Sequence, residues 1–201
     1  APTFEPGSAR RTFRMTTPDL FDALVIPVLL ERLRAEAPGI DLVIAQLDAQ
    51  RLPRALETGD VDLSISPRID DFHGAPEPDG HGLVRRVLFR DGFSCFCRGD
   101  HPALFDKRGR RAGKGTASEA LSLETYASLS HILVSPGGEG PGFVDELLAQ
   151  QGLRRRIALR VPQFSSALAI VERSDLVLTA PTALGRLLGA RSKVVALPAP
   201  L

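Results

Sequence analysis

Cysteine is scarce in this sequence, since Cys95 and Cys97 are the only two among 201 residues. They are too close for an unstrained disulfide and too few to hold a metal ion, which favours a reducing compartment. They lie two apart in a predicted strand, so both thiols are expected to face one way as inert, half-buried groups.

An excess of charge of one sign is also lacking, because 25 lysines and arginines balance 24 aspartates and glutamates. Non-specific nucleic-acid binding needs a strong positive field. This chain alone is therefore predicted to be a poor DNA binder.

Long apolar runs are missing as well. The longest, Ala23–Leu30, contains Pro27 and falls far short of the roughly 20 residues that span a bilayer. The first 14 residues mix Pro, Glu, Gly and Arg where a secretory signal needs an apolar segment. We therefore expect a soluble, cytoplasmic protein without a membrane partner, and the missing initial Met indicates a fragment of a longer chain.

Common signatures of catalysis are absent. The patterns GxSxG, HExxH and SxxK do not occur, and the glycine-rich stretch Ser135–Gly142 lacks the lysine and hydroxyl ending of a phosphate loop. The four histidines are scattered, and His73 and His81, which flank a predicted loop, are interpreted as surface loop residues rather than zinc ligands. Arg154–Arg156 and the basic run between residues 107 and 114 predict solvated clusters. The sequence thus predicts no enzyme activity, no metal and no cofactor.

The first third of the chain reads as alternating strands and helices. Strands are predicted at Arg11–Met15, Ile40–Leu47 and Val61–Ser66, and helices at Leu20–Glu36 and Arg51–Thr58. Pro27 cannot donate a backbone hydrogen bond, so the first helix is predicted to break near Ile26 and restart at Pro27. This βαβαβ order is typical of a parallel sheet with crossover helices.

The pattern returns after a predicted loop over residues 67–82. Strands are predicted at Leu83–Phe89, Gly92–Arg98, His131–Ser135, Ile157–Val161, Asp175–Thr179 and Lys193–Leu197. Helices are predicted at Ser122–Ala127, Phe143–Gln151, Ser165–Arg173 and Thr182–Leu188. Two βαβ halves in one short chain predict two α/β lobes with a cleft between them.

Hydroxyl side chains and glycines follow the predicted strands of both halves. In open α/β sheets, ligands bind beyond the carboxyl ends of the strands, at helix N-termini. Thr16, Thr17 and Asp19 hold that place in the first half, and Ser135 and the glycines after it hold it in the second. Such groups can seat a carboxylate or another small anion. The alternative is that they are ordinary helix caps.

Four motifs occur in a characteristic order, namely Phe4–Met15, Ile26–Pro38, Leu56–Ile65 with the sequence Leu-Glu-Thr-Gly-Asp-Val-Asp-Leu-Ser-Ile, and His101-Pro102. Together they resemble the effector-binding domain of LysR-type transcriptional regulators, whose fold is similar to type 2 periplasmic binding proteins. The stretches His131–Leu148 and Val161–Pro181 resemble the branch containing regulators of nodulation and of aromatic-compound degradation. That resemblance implies a small aromatic or carboxylate effector.

The resemblance implies an α/β fold of two Rossmann-like lobes with mixed, mostly parallel sheets, joined by two crossover strands near Ser66–Arg86 and Val161–Thr179. Residues 1–12 would end a linker, residues 13–82 and 180–201 would form lobe I, and residues 83–179 would form lobe II. The effector would bind in the cleft between the lobes, with Phe164 as an aromatic wall and Arg68 as the counter-charge. The implied contacts are Thr16, Thr17, Pro18, Asp19, Ser66, Arg68, Val134, Ser135, Pro136, Phe164, Ser165 and Thr179.

The same resemblance implies three kinds of partner. A small-molecule effector would control DNA binding and transcription. The chain would form a homodimer through Pro27–Glu36 and Ile40–Leu47, and a tetramer in the full-length protein. Promoter DNA would be bound by an N-terminal winged helix-turn-helix that is missing here. Two alternatives stay open: a periplasmic-type solute-binding protein, and an assembly module that binds no effector.

Overall fold

The computed structural model describes residues 4–47, 50–67, 83–106 and 121–201. Its contacts divide the chain into unit 1, Ala1–Leu88, and unit 2, Phe89–Leu201. Arg68, most of the predicted loop over residues 67–82 and the basic run between residues 107 and 114 lie outside the described residues.

Unit 1 is built around a parallel three-stranded sheet. Its elements are β1 (Arg11–Thr16), α1 (Asp19–Glu36), β2 (Ile40–Ile44), α2 (Leu52–Thr58) and β3 (Leu63–Ser64). The strand order is β2-β1-β3, and both strand pairs are parallel. Gly59 ends α2 with a φ of 76°, a left-handed conformation that favours glycine. The predicted βαβαβ order is confirmed.

Helix α1 runs unbroken through Pro27, so the predicted break near Ile26 is wrong. The proline removes the N–H that would have met the carbonyl oxygen of Ala23. Both Ala23 and Pro27 lie on the exposed side of the helix, where water can satisfy that oxygen. One lost hydrogen bond therefore does not end this 18-residue helix.

Unit 2 holds a mixed five-stranded sheet. Its elements are β4 (Phe93–Arg98), α3 (Leu123–Ser128), β5 (Ser130–Val134), α4 (Phe143–Gln150), β6 (Arg156–Val161), α5 (Phe164–Val171), β7 (Leu176–Pro181), a short 3-10 helix (Thr182–Leu187) and β8 (Val194–Pro198). The strand order is β6-β5-β7-β4-β8. Strands β6, β5 and β7 are parallel, whereas β4 is antiparallel to both β7 and β8.

Two features of unit 2 differ from the sequence-based assignment. The stretch Val161–Thr179 is no crossing between units, because β6, α5 and β7 belong to the same unit. Residues 180–201 belong to unit 2 rather than to the first lobe, because β8 pairs with β4 along its length. Strand β4 lies inside the sheet, between β7 and β8, and it therefore needs the C-terminal strand as its second partner. The assignment to the first lobe failed because the sequence does not reveal which strands pair.

The predicted strand at Leu83–Phe89 is also wrong, since these residues form no strand. Val84, Val87, Leu88 and Phe89 are exposed, so the segment lacks both a partner strand and a buried face. An apolar run alone does not make a strand without such packing.

The core of unit 2 contains both cysteines, which are more deeply buried than the expected half-buried state. Cys95 and Cys97 form no disulfide, are fully buried and belong to one apolar cluster with Tyr126 and Leu148. Burial raises the pKa of the Cys95 thiol far above its ordinary value, and the neighbouring Cys97 raises it further. The thiolate is therefore not available for chemistry. Within the described ranges, no helix is both long enough and apolar enough to cross a membrane.

Candidate ligand-binding site

The predicted site residues of unit 1 lie where its parallel strands end. The Thr16 hydroxyl at the end of β1 donates to Ser64 Oγ at the end of β3, over 2.8 Å. The next hydroxyl, that of Thr17, donates to the carboxylate of Asp22 in the first turn of α1. The structure therefore brings Thr16 and β3 together at one sheet edge.

The remaining predicted residues of unit 1 flank this edge. Pro18 precedes α1 and gives it no side-chain cap, and Asp19 is the first helical residue. Ser66 lies exposed, two residues beyond β3. The interpretation of these residues as ordinary caps is not supported for Thr17, whose hydroxyl meets a side chain rather than the helix backbone.

In unit 2, a cavity of about 240 Å³ opens at the carboxyl ends of β5 and β6. It contains the predicted residues Ser135 and Pro136, which directly follow Val134 at the end of β5. The full lining is Ser135, Pro136, Gly137, Gly138, Arg160, Val161 and Pro162. Phe164 and Ser165 at the start of α5, and Thr179 in β7, are not part of this lining.

Backbone hydrogen bonds give the loop of this cavity a defined shape. The Ser135 N–H donates to Val161 O over 2.9 Å, and the Gly138 N–H closes a turn onto Ser135 O over 3.0 Å. Gly138 adopts a φ of 74°, which side chains rarely tolerate. Arg160 Nη1 donates to Gly140 O over 2.8 Å. The glycine-rich stretch Ser135–Gly142 therefore contains a defined turn, which needs glycine at position 138.

Sequence analysis missed a buried polar network behind this loop. The Arg155 side chain is 2% exposed, and its Nε donates to Asp145 Oδ1 over 2.6 Å. Arg155 Nη1 also donates to the Tyr126 hydroxyl over 3.1 Å, and that hydroxyl bonds Thr179 Oγ1. The second Asp145 oxygen accepts the Gly142 N–H over 2.7 Å. The predicted surface position of Arg155 is therefore wrong.

His131, which was predicted to begin a strand, is a second buried polar residue next to this network. It is fully buried in β5, and its ring lies 4.7 Å from that of Tyr126. Its Nε2 donates to the carbonyl oxygen of Tyr126 over 2.9 Å, so Nδ1 is the unprotonated nitrogen. Nδ1 has no hydrogen-bond partner among the described residues.

The electrostatics of the network follow from burial next to a fixed cation. Burial, together with the nearby charge of Arg155, lowers the pKa of His131 to about 4. Burial alone would raise the pKa of Asp145, but the hydrogen bonds from Arg155 and Gly142 outweigh it, so that pKa is lowered. Burial raises the pKa of Tyr126. At neutral pH the network thus contains one ion pair, a neutral imidazole and a neutral phenol.

A signal for Arg155 was present in the sequence. Residues alternate in and out along β6, and Arg155 shares the inward side with Ile157 and Leu159. By the same alternation, Arg160 lies on the outward side, at the cavity. Because Arg154–Arg156 were treated as one solvated cluster, the alternation of inward and outward side chains was overlooked.

Two other kinds of site can be compared with this one. A groove of about 370 Å³ lies between α5 and the segment that leads into β8, but its lining includes none of the predicted site residues. The described parts of the chain contain no group of three His, Cys, Asp or Glu side chains that could hold a metal ion.

The model of the LysR substrate-binding domain family matches residues 6–201. The HTH-type transcriptional activator NahR of Pseudomonas putida is 30% identical over 181 residues, covering 89% of this chain and 53% of NahR. Nodulation protein D 3 of Rhizobium leguminosarum bv. phaseoli is 30% identical over 179 residues, covering 89% of this chain and 52% of that protein. The chain thus spans about half the length of these curated relatives.

Solved structures agree with this relationship. The crystal structure of the probable transcriptional regulator PA0477 from Pseudomonas aeruginosa is 29% identical, with a TM-score of 0.81, and the match covers 100% of this chain and 61% of that one. The similarity predicted from the motifs, including its nodulation branch, is confirmed. The chain belongs to the LysR substrate-binding domain family.

Proposed function

We propose that this chain is the effector-sensing domain of a transcriptional regulator, and that it binds a small aromatic or aliphatic carboxylate. The observation that carries the proposal is the cavity at the carboxyl ends of β5 and β6. Its lining combines a hydroxyl, glycine backbone amides and one guanidinium, which are the groups that bind carboxylates.

Arg160 supplies the specificity in this proposal. It is exposed and lies in the cavity lining, and a guanidinium presents five N–H donors in one plane. Its bond to Gly140 O uses one of them and fixes the direction of the side chain. A carboxylate can then be held by charge-assisted hydrogen bonds from Arg160 and from the Gly137 N–H, since the Ser135 and Gly138 N–H groups already donate within the unit.

The size of the cavity favours a single ring or a short chain. A cavity of about 150 Å³ is enough for benzene, so about 240 Å³ leaves room for a ring with one or two substituents. The effector-binding domain of BenM, which shares the fold at 15% identity and a TM-score of 0.65, holds benzoate.

The strand-end residues of unit 1, Thr16–Asp19 and Ser66, are also proposed to contact the effector.

DNA binding is proposed for another part of a longer protein. Two relatives are named HTH-type regulators, and this chain spans about half of their length. Its balanced charge also argues against DNA binding by the chain itself. A regulator acting on promoter DNA would be cytoplasmic and not an enzyme. A solute-binding protein and an effector-independent assembly module remain the alternatives to test.

A thermal-shift screen of the 201-residue chain tests the ligand class. Benzoate, salicylate and cyclohexanecarboxylate are compared with neutral benzamide at matched concentrations. A carboxylate at about 100 times its dissociation constant should add about 2.7 kcal/mol. That stabilisation should raise the unfolding midpoint by roughly 5 to 11 °C for a chain of this size.

The substitution R160M should weaken the best carboxylate by about 10- to 100-fold, because a charge-assisted bond is lost. The matched control is R156M, which changes an exposed arginine of the same strand outside the cavity. An equal shift with benzamide, or equal affinities for both variants, would contradict carboxylate recognition by Arg160. No shift with any compound would favour the assembly module.

Self-association is proposed for the face formed by α1 and β2. Val28 is 65% exposed and Leu30 is 39% exposed on α1, and Val43 and Ile44 are exposed on β2. Exposed apolar groups on neighbouring elements are typical of interaction surfaces. A dimer of this chain, and a tetramer of a longer protein, would bury them.

Analytical ultracentrifugation at micromolar concentrations tests this surface. The wild-type chain should sediment as a dimer, and V28E should weaken association by about tenfold or more, because it places a charge in the interface. The control L63E changes an exposed apolar residue on β3, the strand at the other edge of the sheet. A monomeric wild type, or equal weakening by L63E, would contradict the proposed face.

A further inference from the structure

Arg155 lies behind the cavity rather than in it. The seven lining residues do not include Arg155, so it has no direct contact with that space. Its side chain is nevertheless almost completely buried, with an ion pair to Asp145 and a hydrogen bond to Tyr126. A permanently charged group is costly to bury unless its partners are fixed. The burial of Arg155 with fixed partners therefore indicates a structural or functional role, which a solvated surface arginine would not have.

The first arm of this arrangement reaches the loop of the cavity. Asp145 is the third residue of α4, and its Oδ2 accepts the N–H of Gly142, the last residue of the glycine-rich stretch Ser135–Gly142. Gly142 is also pressed against β5, since a Cβ there would lie 2.7 Å from a methyl group of Leu133. Arg155 thus fixes the carboxylate that holds the far end of this loop.

The second arm reaches β7. Tyr126 is fully buried, and its hydroxyl connects Arg155 Nη1 to Thr179 Oγ1. The planar guanidinium can donate to Asp145 and to Tyr126 at once with one fixed geometry. The loop end at Gly142 and the Thr179 side chain are therefore held by the same group.

We propose that Arg155 is a positioning residue for effector binding, which holds the glycine-rich loop through Asp145 and Thr179 through Tyr126. This rests on the function proposed above. Arg155 acts only through other residues, because it is not part of the cavity lining. Its loss widens the range of loop conformations, so the binding-competent one is populated less and the apparent affinity falls.

The variant R155M in the 201-residue chain tests this role, with R154M as the matched control at an exposed arginine one residue away. Without ligand, R155M should speed amide hydrogen exchange at Gly138 and Gly142, the two loop glycines whose N–H groups are hydrogen-bonded, by about tenfold, while the amides of β4 keep their rates. With benzoate, or whichever carboxylate of the screen the wild type binds, R155M should weaken affinity about fivefold.

Two further variants separate the arms. Y126F removes only the hydroxyl, so exchange at Gly142 should stay at the wild-type rate, because the Asp145 contact is intact. R155K keeps the charge but not the planar fork, so its loop amides should exchange at rates between those of R154M and R155M. R155K also replaces R155M in the comparison with R154M if R155M does not fold.

Three results would overturn the proposal. One is loop exchange in R155M, or in R155K, equal to that in R154M. Another is an equal increase at β4 and the loop, which would mark a purely structural residue. The third is unchanged affinity in R155M despite faster loop exchange. If the wild type binds no carboxylate, the proposed function fails on its own, and the exchange measurement still decides whether Arg155 holds the loop.

Discussion

Replacing Asp145 by alanine is expected to lower the free energy of unfolding of unit 2 by about 3 kcal/mol, because it leaves the Arg155 charge buried without its carboxylate partner. Arginine cannot relieve this by losing its proton, whereas aspartate can be protonated. The estimate lies at the lower end for such pairs, because the Asp145 side chain is 20% exposed and some water reaches the pair.

The measurement can follow unit 2 alone. Tyr126 is the single tyrosine in a chain without tryptophan, so intrinsic fluorescence during urea unfolding reports on its surroundings. The control D100N changes a strongly exposed partner of Arg98 and should have a much smaller effect.

The double variant D145L/R155M removes both charges and should recover most of the loss, because an apolar pair of similar volume is tolerated in a buried position. A D145A effect as small as that of D100N would contradict the burial of Arg155. A double variant as unstable as D145A would show that the loss comes from packing rather than from the unpaired charge.

Acidification below pH 6.5 is expected to destabilise unit 2 through His131. Its pKa is about 4 in the folded chain and 6.5 when unperturbed, so the unfolded state binds more protons between these values. The stability that neutral His131 supports is fully present above pH 6.5 and falls as the pH drops towards 4. The loss reaches about 2 kcal/mol at pH 5 and about 3 kcal/mol below pH 4.

The variant H131Q isolates this effect. Glutamine does not titrate and can still donate to the Tyr126 carbonyl oxygen that His131 Nε2 meets. Asp145 stays ionised over the same range, because its pKa is lowered below its ordinary value. Urea unfolding of both proteins from pH 4.5 to 7.5 should give a difference in stability that changes with pH as described. Parallel curves for the wild type and H131Q would contradict a buried neutral imidazole.

The order of elements could be predicted from local signals. Strand alternation, helical spacing and the Gly59 stop are properties of neighbouring residues, and they placed α1, α2 and most strands within a few positions. Pro27 misled the prediction, because its cost depends on whether Ala23 meets water or the core, and that is decided by packing. The strand predicted at Leu83–Phe89 was wrong for a similar reason, because a strand forms only where packing supplies a partner strand, and local sequence does not show that.

The candidate site was predicted in part. The general rule for strand ends, which needs only the order of elements, named Ser135 and the glycines after it, and these residues line the cavity of unit 2; Pro136 was named by the resemblance. Arg155, Asp145 and Tyr126 come from three separate segments, and no local pattern announces that they meet. The predicted position of Arg155 on a solvated surface was wrong, because a buried ion pair can be recognised only when both partners are placed.

The position of β4 also sets the order in which unit 2 can be completed during synthesis. Its neighbours β7 and β8 begin only at Leu176 and Val194, far along the chain. At ordinary ribosomal rates, roughly 5 to 20 s separate the appearance of β4 from that of its last partner. During that time a nascent strand with buried-type residues from Ser94 to Cys97 presents both edges for pairing. The sheet of unit 2 therefore cannot be completed before β8 has been synthesised, and we expect the yield of folded protein to depend on chaperones that cover β4 during this interval.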